Sequence, residues 1–251
     1  MKKTVLFFIF MFFAVGSLGF AQSAEEIYRK ANIDYENEDY KEAVSLYEML
    51  LKMDRTNAEV FYNLGNSYFK LKKIGKAIVN YERALRIAPR DRDIRMNLDL
   101  AGNMTVDKIK TREESFLLKL IFLPYEKMNL NELTAIVSVF YLSIVALLIF
   151  SIFFAEKRRI IFYTTGVFAV FFMVFFVFLA AKINAENFVT HAVVISEKTD
   201  VRSGPKEDYL LQFTLHEGTK FKIIEERQGW YEIDLSKDLR GWLPKDSVEI
   251  I

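Results

Sequence analysis

The spacing of hydrophobic residues changes along the 251-residue chain. Up to about residue 110, apolar positions recur at the spacing of amphipathic helices. Residues 133–155 and 160–181 are then uncharged and mostly apolar. From residue 189 onward, short alternating apolar and polar runs are broken by turn residues, which is typical of strands. The pattern predicts a multi-domain chain with a helical array, an apolar helical hairpin and a small all-β domain.

The two uncharged segments are long enough to cross a membrane. As helices they would extend roughly 33 to 35 Å, and the hydrocarbon core of a bilayer is about 30 Å thick. Only residues 156–159, Glu-Lys-Arg-Arg, lie between them, and short basic loops remain in the cytoplasm. We therefore expect two transmembrane helices joined by a cytoplasmic loop. No ionisable side chain interrupts either helix, so the hairpin is expected to be an anchor.

The N-terminus indicates the same orientation. Lys2 and Lys3 precede an apolar run from Val5 to Phe20, and the small residue Ala21 follows it. Residues 1–21 are therefore predicted to be a secretory signal peptide. An uncleaved anchor helix is the alternative, and it would leave the next domain on the same side. We expect a multi-pass protein of a bacterial inner membrane, with its N- and C-terminal modules on the periplasmic side.

Two consecutive units share a pattern of small and aromatic positions with a period of about 34 residues. The unit at residues 58–91 is the clearer one, because Gly65 is small where two helices would approach closely and Pro89 ends the unit. The unit at residues 24–57 is weaker, since Arg55 replaces the proline. Both units resemble tetratricopeptide (TPR) repeats, which form an α-helical solenoid.

Two further segments follow the repeats. Residues 92–110 carry Ile94, Leu98 and Ala101 at helical spacing without the repeat signature, so they are predicted to be a helix that caps the array. Residues 111–130 include a nearly continuous apolar run just before the first membrane helix. We expect this juxtamembrane segment to lie in the bilayer interface. The alternative is a last amphipathic helix packed on the array.

The segment at residues 189–251 contains recurring glycine and tryptophan motifs. Gly204 follows Val-Arg-Ser, Gly218 lies in a Glu-Gly-Thr turn, and Gly-Trp pairs occur at Trp230 and Trp242. These motifs resemble a bacterial SH3 domain, in which glycines form tight turns and the tryptophans fill a small barrel. The predicted strands are residues 191–196, 220–225, 230–235, 241–243 and 248–251.

The TPR resemblance implies a binding groove, because helix A of each repeat lines a concave surface in that family. Tyrosine and asparagine suit a peptide, since aromatic rings give contact area at low entropic cost and amides both donate and accept. Alternatively, these side chains contact the chain's own cap or juxtamembrane segment. Two asparagines also match a carboxylate clamp, although tyrosine replaces its lysine. The expected groove residues are Tyr28, Asn32, Tyr35, Glu59, Tyr62, Asn63, Asn66 and Phe69.

The SH3-like segment carries a second candidate surface. Its arginine and aromatic residues could form a cleft for a cell-wall peptide or a protein loop. The alternative is that the tryptophans face the core, as the motif positions usually do. The candidate cleft residues are Arg202, Tyr209, Trp230, Tyr231 and Trp242.

Residues that carry catalysis are scarce. The chain contains no cysteine and two histidines, and it has no phosphate-binding glycine loop, nucleophile elbow or zinc signature. We therefore expect no catalytic residue, no cofactor and no metal, and a protein that is not an enzyme. With a net charge of +1, the chain lacks the excess of basic residues that binds nucleic acids, so no nucleic-acid partner is expected.

The order of the parts is more informative than any one part. A signal peptide, about two repeats, a cap, a two-helix hairpin and a terminal SH3 domain resemble the BatE-type TPR proteins of the Bacteroides aerotolerance (Bat) operon. The resemblance implies von Willebrand A-type and MoxR ATPase-associated Bat partners and a role in envelope or oxidative stress tolerance. A proline-rich linker and a tryptophan expected after Ile109 are missing. The leading hypothesis is a scaffold; the alternative is a peptidoglycan-binding tether acting through the SH3-like domain.

Overall fold

A computed structural model describes residues 24–53, 57–108, 115–236 and 239–251. The expected signal peptide, residues 1–21, lies outside these ranges. The chain forms two compact units. One, called here the array-barrel unit, contains the helices up to Lys108 and the sheet from Ala192 onward. The other consists of residues 88–90 and 109–191.

The helical part of the array-barrel unit consists of consecutive amphipathic helices joined by short turns. The side chain of Asn57 accepts a hydrogen bond from the Val60 N–H at 2.8 Å and so fixes the start of one helix. The side chain of Asp91 accepts hydrogen bonds from the N–H groups of Asp93 and Ile94 and so fixes the start of a later helix. The helices are α1 (24–36), α2 (Tyr40–Lys52), α3 (Ala58–Lys70), α4 (Ile74–Ile87) and α5 (Arg92–Met104).

Small residues lie where these helices approach most closely. Ala31, Ala43, Ala77 and Ala84 are fully buried. A Cβ on Gly65 of α3 would lie 2.7 Å from the Tyr81 ring of α4. The small positions of the repeat pattern therefore set the distance between helices, as the sequence indicated.

The C-terminal part is an antiparallel sheet in the strand order β3-β2-β6-β5-β4-β1-β7. Its core includes Val194, Val201, Leu215, Ile233 and Leu243. The segments that form β2 and β3 were not predicted as strands, and their pairing with each other holds them in the sheet. The strands are β1 (His191–Val194), β2 (Lys198–Arg202), β3 (Leu211–His216), β4 (Lys220–Arg227), β5 (Trp230–Ser236), β6 (Leu239–Pro244) and β7 (Val248–Ile250).

The second unit contains three helices within its described residues: α6 (Phe116–Lys127), α7 (Leu130–Phe153) and α8 (Arg158–Phe188). α7 starts with a capping box between Asn129 and Glu132. α7 packs on α8 through Phe140, whose ring contacts Phe168, Phe171 and Phe175. Both helices are long and apolar enough to cross a membrane.

α6 packs on α8 within this unit. The rings of Phe122 and Tyr125 contact Phe178 of α8. The Lys182 ammonium of α8 donates hydrogen bonds to the carbonyls of Tyr125 and Met128 at the end of α6, which satisfies acceptors that a helix C-terminus leaves free. The predicted fold class is confirmed: a helical solenoid, two apolar helices and a small SH3-like sheet.

Candidate functional site

The A-helix face of the array forms a cavity of about 260 Å³. It contains half of the predicted groove residues, which come from α1 of the first repeat and α3 of the second repeat. A lysine from α3, a tyrosine from α4 and two residues of α5 complete it. The lining residues are Tyr35, Tyr62, Asn66, Phe69, Lys70, Tyr81, Asn97 and Leu100.

Two more of the predicted groove residues lie in a separate cavity of about 370 Å³ near the start of α1. Tyr28 and Glu59 line it, together with Glu25 and Asn57. The Tyr28 hydroxyl donates to the Glu59 carboxylate at 3.3 Å. The predicted set therefore divides between an aromatic cavity, in which Lys70 is the one charged residue among the described lining residues, and a more acidic cavity.

The remaining asparagines take part in hydrogen bonds between helices. The side-chain amide of Asn63 donates to the Tyr28 hydroxyl at 3.1 Å and to the Asn32 side-chain oxygen at 3.3 Å. The Tyr47 hydroxyl donates to the same oxygen of Asn32 at 2.5 Å. Asn32 and Asn63 are thus engaged within the chain, which argues against their serving as a carboxylate clamp.

The same hydrogen bonds recur 34 positions further along the chain. The amide of Asn97 donates to the Tyr62 hydroxyl at 3.1 Å and to the Asn66 side-chain oxygen at 2.8 Å. The Tyr81 hydroxyl donates to that oxygen of Asn66 at 2.8 Å. Since Asn97 belongs to α5, this helix occupies the place of helix A in a third repeat. The matched spacing of Asn63 and Asn97 was the sequence signal that our cap interpretation missed.

The hydroxyls of Tyr35 and Tyr81 stay protonated in the physiological pH range. Burial raises the pKa of Tyr35, and the nearby Tyr40 and Tyr62 raise it further. Burial also raises the pKa of Tyr81. Neutral hydroxyls and amides can donate to and accept from a peptide backbone, while the rings of Tyr62 and Phe69 offer apolar faces.

The five predicted cleft residues of the barrel are not gathered on one open surface. Tyr231 is only 3% exposed and belongs to the core, so the expectation that it lines a cleft is wrong. Trp242 is buried beneath the guanidinium of Arg227, and Trp230 is half-buried. Arg202 donates to the backbone carbonyl of Tyr209 at 3.0 Å, and the Tyr209 ring is partly exposed.

Comparison with protein families identifies both folded modules. Residues 58–91 match the family model "Tetratricopeptide repeat", and residues 31–72 match "TPR repeat". Residues 197–249 match "Bacterial SH3 domain". The array contains TPR repeats, and the barrel is SH3-like. No curated protein matches the sequence. Both families typically consist of non-catalytic binding modules.

The helix face that carries the cavity extends onto α5, beyond the residues matched by the repeat models. Met96, Leu100 and Met104 follow one another at the spacing of one helix face, and they stand 34 positions after Tyr62, Asn66 and Lys70. All three α5 residues are exposed, and Leu100 lines the cavity. Leu100 therefore gives the cavity an apolar side on α5, and Met96 and Met104 are exposed on the same helix face.

Proposed function

We propose that this protein is a non-catalytic scaffold whose TPR groove binds an extended segment of a partner protein. The observation that carries the proposal is the cavity bounded by Tyr62, Phe69 and Leu100. Its neutral hydrogen-bonding groups suit a peptide backbone, and its apolar wall on α5 suits a hydrophobic side chain of the partner. Methionine side chains adapt to irregular partners.

The apolar hairpin would anchor the scaffold in a bacterial inner membrane. The basic loop between α7 and α8 favours a cytoplasmic location for that loop, and hence an extracytoplasmic location for both modules. Contacts between the array and the barrel support this arrangement, since they require the segments that flank the hairpin to lie on one side. α6, with apolar residues exposed along most of its length, would lie in the bilayer interface.

The proposed topology predicts the activity of reporters fused to the full chain. Alkaline phosphatase inserted after Lys108 or fused after Ile251 should be active, because it requires an extracytoplasmic location. The same enzyme inserted at Lys157 should be inactive, whereas a fluorescent protein placed there should fold. Phosphatase activity at Lys157, or inactivity at either of the other two positions, would contradict the proposed orientation.

The partners are proposed from the resemblance to BatE-type proteins. They are von Willebrand A-type membrane proteins and, through them, a MoxR-type ATPase in the cytoplasm, in a complex for envelope or oxidative stress tolerance. A groove on the same side of the membrane as the von Willebrand A-type domains would hold one of their segments.

Groove binding predicts that Phe69→Lys, combined with Leu100→Lys, lowers recovery of a von Willebrand A-type partner roughly tenfold or more. The two lysines place charges in the apolar part of the cavity without removing a partner from the partly buried hydrogen bonds of Asn66 and Asn97. Recovery is measured by chemical crosslinking in membranes, followed by purification of the scaffold and quantitative mass spectrometry.

Met49→Lys is the matched control. Met49 is 44% exposed and does not line the cavity, so this variant should recover the partner at the wild-type level. Equal recovery with the groove variant and with wild type would overturn groove binding, provided that both variants unfold at the wild-type temperature.

A second candidate function is a tether that binds peptidoglycan through the SH3-like barrel. It is favoured by the exposed apolar residues Tyr209, Leu210 and Leu211 next to Arg202. The tether would be supported if the purified full chain sediments with cell-wall sacculi, and if Tyr209→Ser abolishes sedimentation while the groove variant does not.

A further inference from the structure

One face of α4 contacts the SH3-like barrel from end to end. Glu82 pairs with Lys220 of β4 at 2.7 Å. Arg83 pairs with Glu249 of β7 at 2.8 Å and donates to the Ile250 carbonyl. These side chains are partly exposed, and pairs of this kind contribute little on their own. They nevertheless define which face of the helix the barrel covers.

Two glycines allow the array and the barrel to approach closely. A Cβ on Gly75 of α4 would lie 2.3 Å from the Val194 carbonyl oxygen of β1. A Cβ on Gly218, in the turn between β3 and β4, would lie 2.4 Å from the Thr105 methyl group. The Gly75 N–H also donates to the Glu217 carboxylate at 2.8 Å, which places a negative charge at the N-terminus of α4.

Asp107 joins the segment after α5 to the same turn of the barrel. One carboxylate oxygen accepts from the His216 N–H at 2.8 Å and from the Thr219 hydroxyl at 2.6 Å. The other lies 3.0 Å from Nδ1 of the His216 ring. Thr219 is buried, so its hydroxyl depends on Asp107 for this hydrogen bond.

We propose that the SH3-like barrel is the permanent intramolecular partner of the TPR array. It covers array surface that further repeats would cover in a longer solenoid. About three repeats are needed to bury a continuous solenoid core, and this chain has two with α5 added. The barrel covers the α4 face and the segment after α5. The apolar hairpin is consequently an insertion in the sequence of one composite domain. The turn at residues 216–219 is unavailable to other ligands.

The sign of the change in unfolding temperature caused by Gly75→Ala tests this proposal. It is measured on the full chain in detergent. Alanine favours a helix over glycine, so the substitution would raise the unfolding temperature if the barrel were not docked. With the barrel docked, the new methyl group meets backbone atoms, and we expect a fall of about 5 °C. Gly102→Ala in α5, where a Cβ meets nothing within 4 Å, is the control and should not lower that temperature.

The absence of natural cysteines allows a second measurement on the same protein. In Glu82→Cys/Lys220→Cys, a short bis-maleimide should join the two positions, as detected by mass spectrometry of tryptic peptides. The same reagent should not join the two cysteines of Glu82→Cys/Asp208→Cys. Asp208 precedes β3 and Lys220 follows it, and the six residues of β3 span about 20 Å.

Either an unfolding temperature of Gly75→Ala at or above wild type, or failure to crosslink Glu82→Cys/Lys220→Cys, would overturn the composite domain. These outcomes are independent of the proposed scaffold function. A TPR groove can bind its partner whether or not the barrel is docked, and the groove variants leave the contacts of α4 unchanged.

Discussion

Gly65→Val is expected to destabilise the array-barrel unit by about 3 kcal/mol, at the upper end of the usual cost of overpacking. Even a single Cβ at this position would lie 2.7 Å from two ring atoms of Tyr81. The ring cannot move aside freely, because it is 1% exposed and its hydroxyl donates to Asn66. A shift of Tyr81 would also disturb Asn97, which donates to the same Asn66 oxygen.

The effect can be measured by urea unfolding of the full chain, followed by circular dichroism and by the accessibility of an engineered cysteine in the array. Gly102→Val is the control, because a Cβ at Gly102 meets nothing within 4 Å and valine has a helix propensity slightly above that of glycine. An unfolding midpoint of Gly65→Val equal to that of Gly102→Val would show that α3 and α4 do not pack as described.

The second large effect is expected at Asp107. Replacing Asp107 by alanine removes the acceptor for the His216 N–H and for the buried Thr219 hydroxyl. Hydrogen bonds to charged groups contribute about 1.5–3 kcal/mol each when buried. Asp107 is partly exposed, so we expect a total loss near 2 kcal/mol. The loss should appear in the same urea measurement.

Asp107 also makes the stability of the unit depend on pH. Partial burial raises the pKa of this carboxyl, but the hydrogen bonds from Thr219 and from the backbone and ring of His216 together outweigh it and lower the pKa below its ordinary value. A lowered pKa in the folded state means that the contribution is fully present above the unfolded-state pKa of about 4. It is then lost as the pH falls through the folded-state value.

Unfolding temperatures between pH 7 and pH 3 test this dependence. The unfolding temperature of the wild type should exceed that of Asp107→Asn at neutral pH, and the difference should shrink below about pH 4. Asp107 becomes protonated there, whereas the asparagine does not titrate. A constant difference between the two proteins across the range would contradict the lowered pKa. Asp99→Asn is a suitable control, since Asp99 is exposed on α5.

The repeats and the hairpin could be predicted because their signals are local. Gly65 and Pro89 lie at fixed positions within a unit of the repeat, and an uncharged segment of more than twenty residues has few alternatives to a long apolar helix. The Gly-Trp pairs at Trp230 and Trp242 indicated the barrel in the same way. By contrast, β2 contains a single apolar residue, Val201. β3 alternates Leu211, Phe213 and Leu215 with polar residues but was not predicted. Pairing with neighbouring strands holds both in the sheet.

The candidate site was predictable only in part. The A-helix positions of Tyr62, Asn66 and Phe69 follow from the repeat period, and these residues do meet in one cavity. Which amides face solvent and which bond to a neighbouring helix depends on the distance between helices. For that reason Asn63 was assigned to the groove, although it bonds to Tyr28 and Asn32.

The sequence by itself determined the fold class, the period of the repeats and the presence of two long apolar helices, since each depends on residues that are near one another in the chain. The 34-residue spacing of Asn63 and Asn97 also indicates that α5 takes the place of a further helix A, whereas the tertiary structure alone decided that the barrel docks on α4. Asp107 and His216 are separated by the whole apolar hairpin, and no local pattern specifies a contact over that distance. It arises from matching shapes and charges on two folded surfaces.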